Sequence, residues 1–333
     1  MPQRLEQLNR WLTTGVGIRD YTIAPASADA SFRRYFRVSF DGQSRIVMDA
    51  PPDKEDTGPF VAIAQALFTL GLNVPEILAQ NTQEGFLLLS DLGSTPYLSV
   101  LDESNVERLY GDALGALAVM QACGPRGELL PNYDRELLLR EMELFREWYI
   151  GRHLGIALDG EHQRLLDQVF AVLADSALEQ PSVCVHRDYH SRNLMVVAHN
   201  PGILDFQDAV VGPVTYDLVS LLRDCYIAWP RARVEEWALG YHDLALDHGI
   251  LRQRCEQQFL AWFDLMGVQR HLKATGIFAR LNHRDGKPGY LDDIPRTMGY
   301  VVEVAARYPA LASLHAWLME VVMPAAQRLD AAK

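Results

Sequence analysis

Hydrophobic and polar positions alternate near the start of the chain, as they do in half-buried strands. Residues 3–14 have the spacing of a short amphipathic helix, and YTIAPAS and FRRYFRVSF then alternate on either side of the turn-prone SADAS. Asp41 and Gly42 form a tight-turn pair before another apolar strand, RIVMDAPP. GPFVAIAQALFTLGL has a helical period that ends at Gly71, and two more strands follow in PEILAQNTQEGFLLLSDLG.

The apolar spacing becomes mostly helical after residue 103, and only residues 183–206 interrupt it with strand signals. Helices are predicted over residues 104–122, 131–150, 160–178, 216–228, 231–248, 250–273 and 293–330. The pattern therefore predicts an α+β fold of two lobes. A small lobe over residues 1–92 holds a five-stranded antiparallel sheet with one helix, and a larger, mostly helical lobe covers residues 93–333.

Composition narrows the class of protein. Hydrophobic residues make up 49% of the chain and charged residues 22%, which is typical of a soluble globular protein. The net charge of -12 and the absence of a Lys/Arg block argue against a nucleic-acid partner. The four cysteines are scattered without metal-ligand spacing, the N-terminus lacks the pattern of a signal peptide, and no apolar run approaches the roughly 18 residues of a membrane span. A cytoplasmic protein is expected.

The segment VHRDYHSRNLMVV, residues 185–197, carries the strongest chemical signal. Asn193 leads into a strand, AHNPG makes a turn, and a second strand ends in ILDF, so the hairpin is expected to bring Asn193 and Asp205 together. Two oxygen ligands on adjacent strands suit a Mg²⁺ ion that also binds nucleotide phosphates and water. Asp188 is then placed to accept a proton from an attacking hydroxyl or to orient it. An isolated HxD triplet would indicate only a turn, but this combination favours catalysis.

The combination resembles the protein-kinase-like fold, and more closely its aminoglycoside/choline phosphotransferase branch. His190, two residues after Asp188, matches the HxDxHxxN form of that branch, and GPVTYDLVSLL resembles its downstream motif. The resemblance implies ATP and Mg²⁺ as cofactors, Asp188 as the catalytic residue, and a small molecule as the acceptor. It also implies that His186 and Asp217 support the catalytic loop, with Asp217 accepting hydrogen bonds from the loop's backbone.

From end to end, the chain resembles the bacterial sugar kinases that phosphorylate the anomeric hydroxyl of N-acetylmuramate and N-acetylglucosamine during peptidoglycan recycling. The matching pieces are ASADASFRRYFRV, LLLSDLG, YDRELLLREMELFREWY and RLNHRDGKPGYLDDIPR. The resemblance implies a sugar 1-phosphate as product. Two alternatives stay open: a kinase of the same fold acting on an aminoglycoside, choline or homoserine, and a non-catalytic pseudokinase that only binds nucleotide.

One departure from the kinase pattern favours the pseudokinase alternative. The strand that normally presents a lysine to the phosphates has Met48 or a neighbour instead, and the following helix has no glutamate. Retention of all three groups of the catalytic motif argues against loss of activity. We expect Arg33 or Arg34, after the small-residue turn, to replace the lysine. The predicted nucleotide contacts are Ser27, Ala30, Ser31, Phe32, Arg33 and Arg34 for the phosphates, and Leu89, Ser90 and Asp91 for adenine.

Two segments are candidates for the acceptor site. Glu141 interrupts an apolar helical stripe that includes Trp148, so either both line the sugar site or Glu141 forms a core salt bridge with an arginine. RLNHRDGKPGY is expected to be a polar loop, in which Arg284 and Lys287 contact sugar hydroxyls or the carboxylate of an acidic sugar. The alternative for this loop is a turn held by an Asp-Arg pair. His190 is the remaining predicted substrate contact.

Overall fold

The computed structural model describes residues 2–28 and 32–331. Within them the chain forms two compact units. The first comprises residues up to 129 together with residues 192–209, and the second comprises residues 130–191 and those from 210 onward. The division into lobes at residue 92 stays a prediction, and the two units are described separately below.

A five-stranded antiparallel sheet forms the centre of the first unit, which confirms the predicted sheet. Its strands are β1 (Thr22–Ala28), β2 (Arg34–Phe40), β3 (Gln43–Asp49), β4 (Ile77–Asn81) and β5 (Phe86–Ser90), in the order β1-β2-β3-β5-β4. The helices of this unit are α1 (Pro2–Arg10), which continues as a π-helical turn over Trp11–Val16, α2 (Gly58–Thr69) and α3 (Val106–Cys123).

The sheet follows from alternation and turn chemistry. Asp41 and Gly42 both have positive φ, 48° and 72°, as the tight β2–β3 turn requires. One face of the sheet is apolar and is covered by α1 and the π-helical turn after it, in which Trp11 stacks on Phe86 with ring centroids 5.7 Å apart. Burial of this face fixes the register of the strands, because a slip of one residue would turn the apolar side chains outward.

A short hairpin, β7 (Leu194–Met195) and β8 (Gly202–Ile203), also belongs to the first unit. The backbone N–H of Ile203 donates to the carbonyl of Asn73, and Phe206, just after β8, packs on Phe60 of α2 with ring centroids 4.9 Å apart. These contacts fix the end of the ILDF segment, at which Asp205 lies.

The second unit is mostly helical and is organised around one long helix. Its elements are α4 (Arg135–Leu144), α5 (Gly160–Glu179), β6 (Ser182–Val185), β9 (Val210–Pro213), α6 (Tyr216–Leu222), α7 (Arg231–Asp247), α8 (Glu256–Asp285), α9 (Ile294–Ala305), α10 (Ala312–Trp317) and α11 (Met323–Ala331). The strands β6 and β9 pair antiparallel, and α8 packs against α4, α5, α6, α7 and α9. π-Helical turns follow α4 over Phe145–His153 and α10 over Leu318–Val322.

The long helix corrects part of the sequence analysis. Residues 250–273 were expected to be helical and the RLNHRDGKPGY segment to be a loop, but α8 continues to Asp285 and ends at Gly286 with φ 65°. Arg284 therefore lies in the last helical turn rather than in a loop. Similarly, the helix expected over 216–228 ends at Leu222. Across residues 2–28 and 32–331, no helix combines the length and apolar character needed to cross a membrane.

Candidate active site

Two carboxylates in the second unit accept hydrogen bonds from the backbone of residues 186–191, the predicted catalytic loop. Asp217, in the first turn of α6, accepts hydrogen bonds from the N–H groups of His186 (2.6 Å) and Arg187 (2.9 Å). Asp224, just after α6, accepts from the N–H (2.9 Å) and the hydroxyl (2.5 Å) of Ser191. The loop is thus fixed on both sides of Asp188. This contact was expected for Asp217, whereas nothing in the sequence distinguished Asp224 from other acidic residues near helix ends.

Positive side chains surround the partly buried carboxylate of Asp188. Burial alone would raise the pKa of Asp188, but the charges of Lys273, His190 and Arg270 more than offset it and hold the pKa below its ordinary value. Asp217 behaves differently: burial raises its pKa to about 7, and the N–H bonds that it accepts only partly oppose this. Asp188 is therefore ionised at neutral pH and can accept a hydrogen bond from a bound hydroxyl.

Glu141 lies in a buried ion cluster next to this loop. Its carboxylate, in a residue only 5% exposed, accepts from the hydroxyl of Tyr133 and from the guanidinium of Arg187, and lies 3.0 Å from the Nζ of Lys273. Burial alone would raise the pKa of Glu141, but the charges of Lys273 and Arg187 outweigh this effect and hold the pKa below its ordinary value. The arrangement matches the alternative of a core salt bridge, and we do not assign Glu141 a contact with the sugar.

The predicted metal ligands meet on the hairpin of the first unit. The side-chain amide of Asn193 donates to one carboxylate oxygen of Asp205 at 3.3 Å, and the amide of Gln207 donates to the other at 2.8 Å. Asp205 has a positive φ of 67°, which is uncommon for a residue other than glycine. Amide and carboxylate oxygens are the hard donors that Mg²⁺ prefers, so the residues present fit this ion.

The two arginines expected near the phosphates have different partners. Arg34 pairs with the fully buried carboxylate of Asp49, which Arg4 also contacts. Arg33 pairs with Glu55 at 3.1 Å, close to the start of α2. Arg34 is therefore paired with a buried carboxylate of the sheet, whereas Arg33 pairs with a residue that precedes α2.

The remaining predicted phosphate contacts are Ser27, Ala30, Ser31 and Phe32. Ser27 lies in β1, and Phe32 is 63% exposed with its N–H donating to Glu55. Ala30 and Ser31 lie outside the described residues.

The segment predicted to contact adenine spans the end of β5 and the residue after it. Leu89 is buried and pairs with Ile46 of β3. The N–H of Ser90 donates to the carbonyl of Glu76 at 2.9 Å, and the hydroxyl of Ser90 accepts from the N–H of Glu76 at 2.8 Å. Asp91 pairs with Arg37 of β2 at 2.6 Å. The side chains of Ser90 and Asp91 thus fix this segment in place.

The predicted acceptor contacts are spread over several helices of the second unit. Trp148 is half-buried, in the π-helical turn after α4, with Arg152 over its ring at 4.1 Å. Arg284 pairs with its neighbour Asp285 at 2.7 Å, which is the Asp-Arg pair of the alternative reading. Lys287 follows the end of α8. His190 is buried in the catalytic loop, where its ring meets that of Tyr226 edge-on, an aromatic contact that sequence reasoning missed.

The chain combines a five-stranded sheet, a helical unit and an HxDxxxxN loop that leads into the hairpin with the predicted metal ligands. These features define a phosphotransferase with a protein-kinase-like fold. Residues 22–257 match the model of the phosphotransferase enzyme family. The chain belongs to this family, and the family's chemistry together with the names of its relatives makes it a kinase.

Relatives from three bacteria extend over most of the chain. Proteins of Pseudomonas putida and Pseudomonas aeruginosa, each 49% identical over 93% of this chain, cover 94% and 95% of their own lengths, and both are named N-acetylmuramate/N-acetylglucosamine kinase. A protein of Neisseria meningitidis with the same name is 45% identical over 96% of both chains.

Solved structures show the same fold at low sequence identity. A choline kinase from Streptococcus pneumoniae is 11% identical with a TM-score of 0.62, and covers 90% of this chain and 99% of its own. An ADP-bound aminoglycoside phosphotransferase is 14% identical with a TM-score of 0.59, over 90% and 98%. These likenesses confirm the kinase-like fold expected from the sequence.

Proposed function

We propose that the protein is an ATP- and Mg²⁺-dependent sugar kinase that phosphorylates the anomeric hydroxyl of N-acetylmuramate and N-acetylglucosamine. The observation that carries this proposal is identity of 49% over 93% of the chain to two kinases named for these sugars. The product is a sugar 1-phosphate. We further propose a cytoplasmic role in peptidoglycan recycling, which is the role that the sequence resemblance implies.

The role of Asp188 follows from its electrostatics. An ionised carboxylate accepts a hydrogen bond from the acceptor hydroxyl and turns the oxygen lone pair toward the phosphoryl group. Lys273 and Arg270 keep Asp188 ionised, at the expense of its strength as a base. This suits an anomeric hydroxyl, which is more acidic than an ordinary alcohol, so a weak carboxylate base is adequate.

Asn193 and Asp205 are the proposed Mg²⁺ ligands. When bound, the ion would offset the negative charge of the nucleotide phosphates, which is a main electrostatic requirement of phosphoryl transfer. The amide of Gln207, which donates to Asp205 at 2.8 Å, orients the carboxylate for that role.

For the nucleotide, we propose that Arg33 supplies the cation that the third strand lacks. Its partner Glu55 limits the side chain's freedom, as a paired glutamate does for the lysine in other kinases, and Arg34 is already paired with Asp49. Adenine is proposed to bind the backbone of Leu89, Ser90 and Asp91. Retention of the catalytic groups and a substitute cation favour an active enzyme over a pseudokinase.

The test is ADP release with Mg²⁺-ATP on a panel of N-acetylmuramate, N-acetylglucosamine, choline, homoserine and kanamycin, with Asp188→Asn in parallel. We expect turnover on the two amino sugars alone and a loss of at least about a hundredfold in the variant. Phosphorus NMR of the product identifies C1 as the modified position. Turnover on another compound refutes the acceptor, and ATP binding without any turnover supports the pseudokinase.

A further inference from the structure

The segment after α6 is attached to the catalytic loop at two points. Asp224 accepts the N–H and hydroxyl of Ser191, and the ring of Tyr226 meets the ring of His190 at 5.3 Å and 79°. The same segment was expected to be the end of a helix, so no role was predicted for Tyr226. The ring of Tyr226 thus lies beside His190, which is two positions after Asp188 in the sequence.

Tyr226 begins a row of aromatic side chains within the second unit. Its ring is 6.2 Å from that of Phe278 on α8, and Phe278 stacks on Tyr290 at 5.7 Å and 21°. Phe278 is only 4% exposed, whereas Tyr226 and Tyr290 are both half-buried. The row therefore has a buried centre and two rings that reach the surface, one of them next to the catalytic loop.

The position of Tyr226 is fixed by polar contacts on its neighbours. Its N–H donates to the carboxylate of Asp224 at 2.9 Å, and Arg296 donates to the carbonyl of Cys225 at 2.7 Å. His271, itself fully buried, bonds the carbonyl of Arg223 at 2.8 Å. A ring held in this way loses little conformational entropy when a ligand binds, which is the property of a preorganised contact.

We propose that Tyr226 and Tyr290 bind the acceptor sugar, and that the ring of Tyr226 packs against the apolar C–H face of the sugar close to the hydroxyl that is phosphorylated. This inference rests on the proposed function. Aromatic rings bury large apolar area without side-chain flexibility, and ligand sites combine such surfaces with a few polar groups that fix orientation. Here the orienting group is the carboxylate of Asp188, and the aromatic row selects for an acceptor that presents a ring face of C–H groups.

The experiment compares Tyr226→Ala and Tyr226→Phe with Trp229→Ala as a matched control. Trp229 is another half-buried aromatic residue, three positions further along, and its ring packs on Trp237 at 5.9 Å. We expect Tyr226→Ala to raise the KM for both sugars about tenfold or more, with the KM for ATP within twofold of wild type. Tyr226→Phe should recover most of this loss, and Trp229→Ala should leave both KM values near wild type.

A second variant guards against misfolding. Tyr290→Ala changes the half-buried far end of the row and should raise the KM for the sugars alone, by about threefold. If circular dichroism shows that Tyr226→Ala is unfolded, the sugar KM of Tyr290→Ala tests the inference instead. An unchanged sugar KM in the folded tyrosine-to-alanine variants overturns the inference, as does an equal effect in Trp229→Ala. If the wild-type protein phosphorylates neither sugar, the proposed function fails, and the sugar-binding role of the row fails with it.

Discussion

Replacing Glu141 by glutamine would leave two cations without their carboxylate inside the second unit. The carboxylate is 95% buried, contacts Arg187 and lies 3.0 Å from Lys273, so the change keeps the shape of the side chain but removes its charge. Breaking a buried pair by removing one partner costs about 3–5 kcal/mol, because the remaining charge stays desolvated. We expect Glu141→Gln to lower the free energy of unfolding, measured by urea denaturation at pH 7, by about 3 kcal/mol.

The control lies on the same helix. Glu136 pairs with Arg140 at 3.5 Å, but its side chain is 85% exposed, so Glu136→Gln should cost less than about 0.5 kcal/mol. A second change, Lys273→Met in the Glu141→Gln background, removes one of the two cations that Glu141 had neutralised. It should restore about 1 kcal/mol or more of the unfolding free energy. Equal losses in the two glutamine variants would show that burial of the cluster contributes nothing, and the argument would be wrong.

Other predictions concern packing, pH and the nucleotide. A Cβ at Gly276 would lie 2.3 Å from the carbonyl carbon of Leu144, so Gly276→Ala should lower the unfolding free energy by about 3 kcal/mol in urea, and a loss below 1 kcal/mol would show that the helices separate easily. Burial lowers the pKa of His271 from 6.5 to about 3, so the unfolded chain takes up a proton first as the pH falls. Between pH 7 and pH 5 the wild type should therefore lose about 2 kcal/mol of stability relative to a His271→Gln variant. This difference between the two proteins excludes the opposite contribution of Asp217, whose pKa of about 7 favours the folded state as the pH falls. Arg33→Ala should raise the KM for ATP about tenfold, whereas Arg34→Ala should mainly lower stability; unchanged ATP kinetics in both would exclude either as the missing cation.

The sequence was sufficient where local patterns decide the structure. Alternating residues and the Asp41-Gly42 turn predicted the sheet, since each strand has one apolar face. The hairpin that brings Asn193 and Asp205 to within 3.3 Å was also predicted, because a short turn between two apolar strands leaves few other pairings. These elements depend on neighbours in sequence, which a pattern of residue types records directly.

The sequence was insufficient where partners are distant. Glu141 appears as an interruption of an apolar stripe, but its partner Lys273 is 132 residues away, so only the fold shows that the charge is paired. The choice between Arg33 and Arg34 depends likewise on Asp49 and Glu55, two acidic residues that the pattern did not distinguish. The end of α8 was misplaced because polar residues on the exposed side of a long helix resemble a loop.

The two carboxylates that hold the catalytic loop give α6 a fixed length. Asp217 is in its first turn and Asp224 lies just after its end, and each must reach its own side of the loop. One inserted or deleted residue would rotate everything after it by about 100° and shift it by about 1.5 Å, which would turn Asp224 away from Ser191. Substitutions on this helix can therefore be tolerated where packing allows, whereas a change in its number of residues would disconnect the loop, so α6 acts as a spacer whose length is part of the active site.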